Sequence, residues 1–164
     1  MTEPIQAALP RAPRQSAVDV ARLRAKAISW ARDVVADSSV AFLDTETTGL
    51  GPNAEIVDIA MVGMDGRRLL DTLVKPIRPI PEAATAVHGI STEMVMSSRA
   101  PDWETLYCII TPLLTSHRLV IYNRDYDIGV ISQNCQMVGL TPLSGQSDCA
   151  MLAFSDFKGE VGKY

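Results

Sequence analysis

The sequence predicts an α/β domain: a mixed sheet, made of an antiparallel three-strand meander plus one parallel strand, flanked by helices. Three observations carry this. Residues 40–43, 55–64 and 67–75 are apolar or alternating stretches joined by short connections, and Asp65-Gly66 between the last two is a hairpin signal. Residues 103–114 then read as a helix, with Pro101 just before it and Pro112 near its end, and lead to a fourth short apolar stretch, 118–122. A strand reached through a helix lies parallel to an earlier strand by a right-handed crossover. Residues 125–138 read as a further helix closed by Gly139.

The elements follow in order. Residues 1–15 hold three prolines and no periodicity, and read as a disordered leader. Residues 16–38 are different. Ser16 is a candidate cap, and Val20, Leu23, Ala27, Trp30 and Val34 recur at helical steps, giving an amphipathic helix. It is expected to dock on the following domain, with a homodimer seam as the alternative. Residues 39–164 form the main domain. Pro76, Pro79 and Pro81 force an extended loop, residues 92–96 give a helical turn, and 147–155 the start of a last helix.

Composition narrows the function. At 47% hydrophobic and 21% charged the chain buries a core and is not disordered throughout. A net charge of −4 argues against a protein that coats nucleic acid by charge alone, and leaves open an enzyme that meets phosphate through cations. Cys108, Cys135 and Cys149 are too widely spaced for a zinc site and are read as buried small hydrophobes in a reducing cytoplasm. No apolar run approaches the roughly 20 residues that span a bilayer, so no membrane partner is expected.

The chemistry concentrates in two places. Asp44-Thr45-Glu46-Thr47-Thr48-Gly49-Leu50 closes the first strand, and the strand period of two puts Asp44 and Glu46 on one face. Two such carboxylates repel unless a cation lies between them, and oxygen ligands suit Mg²⁺ or Mn²⁺; a polar strand end is the alternative. Tyr122-Asn123-Arg124-Asp125-Tyr126-Asp127 follows the fourth strand and opens a helix. Either Asp125 or Asp127 could meet Asp44, and acids also favour helix starts for their own sake.

The first of these segments resembles the opening motif of the DEDD-type (DEDDh) 3′→5′ exonucleases, a group with a ribonuclease H-like fold that includes polymerase proofreading subunits and ribonuclease T-like enzymes. Val87-His88-Gly89-Ile90-Ser91 is similar to the family's His-Gly-Ile loop, and Asn123 through Asp127 to its second motif, which selects Asp127 over Asp125. Residues 148–153 are similar to the segment before its third motif. The resemblance spans roughly residues 40–154.

It implies two divalent cations about 4 Å apart clamping a phosphate. Asp44, Glu46 and Asp127 would be both metal ligands and catalytic residues. Thr45, Thr48, Gly49 and Leu50 would cup the terminal nucleotide, with Leu50 wedged on its base. His88 and Asn123 would line the same pocket or order its loops, and Tyr126 would pack in the core or against the base. The substrate implied is a single-stranded or frayed 3′ end of DNA or RNA, and a DNA polymerase subunit is an implied partner.

One part of the pattern is missing. The third motif needs, beyond the second, a His followed about five residues later by an acid, and His88 and His117 both precede the second motif. Asp148, Asp156 and Glu160 do not fit that pattern, and Asp148 reads as a helix cap. The domain is therefore expected to be C-terminally incomplete and impaired in turnover. An inactive binding module on the same scaffold is the alternative. A haloacid-dehalogenase-like phosphatase would need Asp-x-Asp in place of Asp-x-Glu and is set aside.

Overall fold

The computed structural model describes residues 17–143 and 145–160. The leader over 1–15 and Ser16 lie outside the described residues. The chain runs α1 (Ala17–Ala36), β1 (Val40–Thr47), β2 (Ile56–Gly63), β3 (Arg68–Leu73), α2 (Glu82–His88), α3 (Thr92–Ser97), α4 (Trp103–Ser116), β4 (Arg118–Ile121), α5 (Arg124–Met137), β5 (Ser147–Cys149) and α6 (Ala150–Lys158). The five strands form one sheet in the order β3-β2-β1-β4-β5. β1 and β2 are antiparallel, as are β2 and β3. β4 lies parallel to β1, and β5 parallel to β4. The meander and the crossover are those expected from the sequence, and the fold is the ribonuclease H-like one.

Alternation along β1 divides the two faces. Ala41 and Leu43 point into the main core, with Ile59 and Met61 beside them on β2. Leu106, Ile110 and Leu114 of α4 and Val130, Ile131 and Cys135 of α5 cover that face. On the opposite face Val40 and Val120 are buried under Val34 of α1, with Trp30 partly covered beside them. α1 therefore docks on its own domain. Its apolar seam is used there, in agreement with the expected amphipathic helix. Arg24 adds a hydrogen bond from Nε to the Phe157 carbonyl at 2.9 Å and lies over that ring. An open apolar groove of about 770 Å³ is left between α1 and α6, bordered by Ile28, Val35, Tyr122, Phe154 and Phe157.

Several local expectations change. Residues 82–88, for which the sequence gives no helix, form α2. Pro81 gives its carbonyl to the amides of Ala84 and Thr85, and Gly89 closes the helix at φ +79°. α4 carries Pro112 inside it as expected and runs two residues further, to Ser116. Residues 147–149 are a strand rather than a helix start. Asp148 is not a cap: its carboxylate accepts from Arg118 Nε at 2.7 Å, which ties β5 to β4. Of the three cysteines only Cys135 is buried, and Cys108 is exposed. α5 ends at Met137 with Val138 as its C-cap, and Gly139 follows at φ +73°. Among the described residues no helix is long and apolar enough to cross a membrane.

Candidate functional site

The site grows from the end of β1. Its buried residues there are Thr45 and Thr47, on the core side, while Asp44 is exposed and Glu46 half-buried on the other face. The first turn of α5 takes hold of both threonines. Thr45 Oγ1 donates to Asp127 Oδ1 at 2.6 Å across 82 residues of sequence. Thr47 Oγ1 and Tyr126 Oη are 2.6 Å apart. α5 starts immediately after β4, and β4 pairs with β1, so the crossover delivers these side chains to the strand end.

Asp127 is 4% exposed, whereas Asp125 is on the surface and pairs with Arg124. Burial raises the Asp127 carboxyl above its ordinary value, and the negative charge of Asp44 pushes the same way. The Thr45 hydrogen bond opposes this and is outweighed. A cation beside Asp127 would offset this cost. Two further acids share the open face of the sheet. Glu46 stands opposite Asp58, and Ala60, which faces Asp44, stands opposite Asp71 on β3. Asp58 is raised by burial and then by Asp71, Glu46 and Asp44. Their positions follow from strand alternation, but reading them needs the register. Among the described residues no three His, Cys, Asp or Glu side chains converge on a point that would hold a metal ion. The carboxylate donors at Asp44 and Asp127 suit a hard cation.

A cleft of about 430 Å³ opens beside the strand end. Thr45, Thr48, Gly49, Leu50, His88 and Tyr126 all line it, together with Glu46. Asn123 does not: it is exposed at the start of α5, where its carbonyl accepts from the amides of Tyr126 and Asp127. Leu50 is 87% exposed at the tip of the turn. Gly49 has φ +151°, and a Cβ there would meet nothing within 4 Å, so backbone conformation rather than space favours glycine. The turn is closed at its base by Thr48 N to the Glu55 carbonyl at 2.8 Å and Glu55 N to Thr48 Oγ1 at 2.9 Å. His88 accepts from Ile90 N at Nδ1, which leaves Nε2 protonated to donate to the Thr47 carbonyl at 3.2 Å. The Glu55 carboxylate is buried, accepts from the amides of Ile77 and Arg78, and pairs with the Arg78 side chain at 2.7 Å. Sequence reasoning missed this clamp, whose partners lie more than 20 residues apart.

Comparisons with known proteins show the family and the fold. The family model described as Exonuclease matches residues 41–160. An uncharacterized exonuclease, CP81, of Escherichia phage 186 is 44% identical over 129 residues, covering 75% of this chain and 66% of that protein. The DNA polymerase III subunit epsilon of Buchnera aphidicola is 31% identical over 106 residues, covering 58% of this chain and 45% of that protein. The chain thus spans less than two thirds of the epsilon subunit's length and about two thirds of the phage protein's. Among solved structures, E. coli Exonuclease I in complex with a dT13 oligonucleotide superposes with a TM-score of 0.61 at 15% identity, over 72% of this chain and 29% of that one. At that identity the likeness is one of fold. With the family model matched over the strand end, the cleft and α5 alike, the chain belongs to the Exonuclease family.

Proposed function

We propose that this chain is a metal-dependent 3′→5′ exonuclease domain that hydrolyses the terminal phosphodiester bond of a single-stranded or frayed nucleic acid and releases nucleoside monophosphates. The observation that carries this is the 2.6 Å bond from Thr45 to Asp127, which brings the acid of the second segment to the strand end that bears Asp44 and Glu46.

Asp44 and Asp127 would hold a Mg²⁺ or Mn²⁺ ion, with Glu46 the candidate for a second position. Such an ion supplies positive charge to the scissile phosphate and polarises water. The protein's own residues do the rest. Thr45 fixes the rotamer of Asp127 through its hydroxyl. The Thr48-Gly49-Leu50 turn, His88 and Tyr126 form walls that would take the terminal nucleotide, with Leu50 offering an apolar surface to its base. Asn123 would shape the start of α5 through its backbone rather than touch the nucleotide.

Incubation of the 164-residue chain with a 3′-labelled single strand and Mn²⁺ tests the reading. Mononucleotide release that disappears in Asp44→Ala supports it. Retention of release in Asp44→Ala, or absence of both release and binding, overturns it.

A second reading is favoured by one specific observation. Both histidines precede the second acidic segment, and among the described residues no three acidic or His side chains converge on an ion. A His general base is worth about 10²–10⁴ in rate. On this reading the chain binds a nucleic-acid 3′ end, or a DNA polymerase subunit as the epsilon relatives' names suggest, without turnover. Binding of the labelled strand with no release distinguishes it. A homodimer through α1 would have to use Val18, Ile28 and Val35, since Val34 and Ala27 are already buried in the domain. A reducing, cytoplasmic setting fits the free cysteines.

A further inference from the structure

We propose that the Tyr126 hydroxyl is a positioning group that, through Thr47 and Gly49, sets where Leu50 meets the terminal base. This rests on the exonuclease reading and assigns a task to a hydroxyl that the chemistry itself does not use.

The geometry is a closed triangle. Tyr126 Oη lies 2.6 Å from Thr47 Oγ1 and donates to the Gly49 carbonyl at 2.9 Å, and Thr47 Oγ1 lies 2.9 Å from that same carbonyl. The phenol therefore bridges the last residue of β1 and the second residue of the turn. Without it, Gly49 keeps a single side-chain tie, and its glycine backbone has more accessible conformations than any other residue. Leu50 follows directly and is held by little else, being 87% exposed. On its other side Tyr126 is anchored to the rigid part of the site. It opens α5 next to Asp127, which is fixed to Thr45. Two consecutive residues of one helical turn thus grip two alternate residues of one strand. The acid end is held on the same scaffold as the apolar tip, so the distance from the phosphate site to the base wedge is set by one helix turn.

The effect is on placement. Losing one neutral hydrogen bond that orders a contact group should weaken end binding roughly fivefold, within the range of a single such bond. It should do so only while Leu50 is present to be placed.

Equilibrium binding tests this, using a 5′-fluorescein single strand with a 3′-terminal phosphorothioate linkage, in Mn²⁺, followed by anisotropy. Tyr126→Phe and Leu50→Ala should each weaken binding about fivefold, and the double variant no more than the weaker single one. Thr47→Val should reproduce the Tyr126→Phe loss, and Thr47→Ser, which keeps the hydroxyl, should restore it. Tyr126→Phe binding like wild type overturns the proposal. So do penalties that multiply in the double variant, or a Thr47→Val protein that binds normally. Wild-type protein that fails to bind any 3′ end removes the exonuclease reading itself, a result distinct from a silent Tyr126→Phe in a protein that binds.

Discussion

Asp127 is the residue whose environment says most about the site. It is buried, its nearest polar partner is a neutral hydroxyl, and its carboxyl is raised by burial and by Asp44. An acid raised in the folded state holds its proton at a pH where the unfolded chain, with Asp near 3.9, has lost it. Its penalty on stability is therefore present at neutral pH and is relieved as pH falls through the raised value. Asp58 behaves in the same way. Asp37, Asp65 and Asp102 are lowered by hydrogen bonds from Ser39, Arg67 and Thr105, and their stabilisation is lost only as pH falls through those lower values. Metal-free protein should therefore gain thermal stability on mild acidification from pH 7 before losing it in stronger acid. In Asp127→Asn the mild-acid gain should shrink and Mn²⁺ binding should weaken at least tenfold, read by calorimetry and metal titration. The preference for Asp127 over Asp125 was legible only through the family pattern. Burial explains it physically, since the surface Asp125 is already paired. The role of Asp148 was not legible, because its partner Arg118 lies 30 residues away.

Among the elements, β1 and the start of α5 were readable because each carries a local signal: an apolar strand closed by acids, and a polar turn ahead of a helix. β5 was not. Its three residues have no strand character of their own, and they pair because β4 offers an open parallel edge and Arg118 holds Asp148. The seat of α5 on β2 was equally hidden. Asn134, buried on α5, accepts from Ile56 N at 3.1 Å and donates to the carbonyls of Ala54 and Val130. Asn134→Leu orphans the buried Ile56 amide and should cost about 1–3 kcal/mol in urea unfolding. The Ala54 carbonyl keeps its bond from Gln133 at 2.6 Å, so the loss should stay in that range. Ser91, which caps α3 by accepting from Met94 N at 3.1 Å, gives a smaller local test. Ser91→Ala should cost about 1 kcal/mol, with faster amide exchange confined to residues 92–97.

At the level of the whole molecule, the sheet is covered unequally. α4 and α5 seal one face, while the other is covered at one end by α1 and carries exposed Asp44 and Asp71 beside half-buried Glu46 and Asp58. Val34 anchors α1 to the sheet against Val40 and Val120, while the helix also packs along α6. Val34→Ala should cost about 2 kcal/mol and loosen α1 before the sheet, seen as an early change in Trp30 fluorescence ahead of the far-ultraviolet transition. At its far end α1 meets the close of α6: a Cβ built at Gly159 would stand 2.9 Å from Val20 Cγ1. Positions 20 and 159, nearly the whole sequence apart, are therefore neighbours. A donor dye on one flank of that contact and an acceptor on the other would transfer energy efficiently only while the N-terminal helix is seated, giving single-molecule experiments an optical readout of undocking that leaves the nucleotide cleft unlabelled.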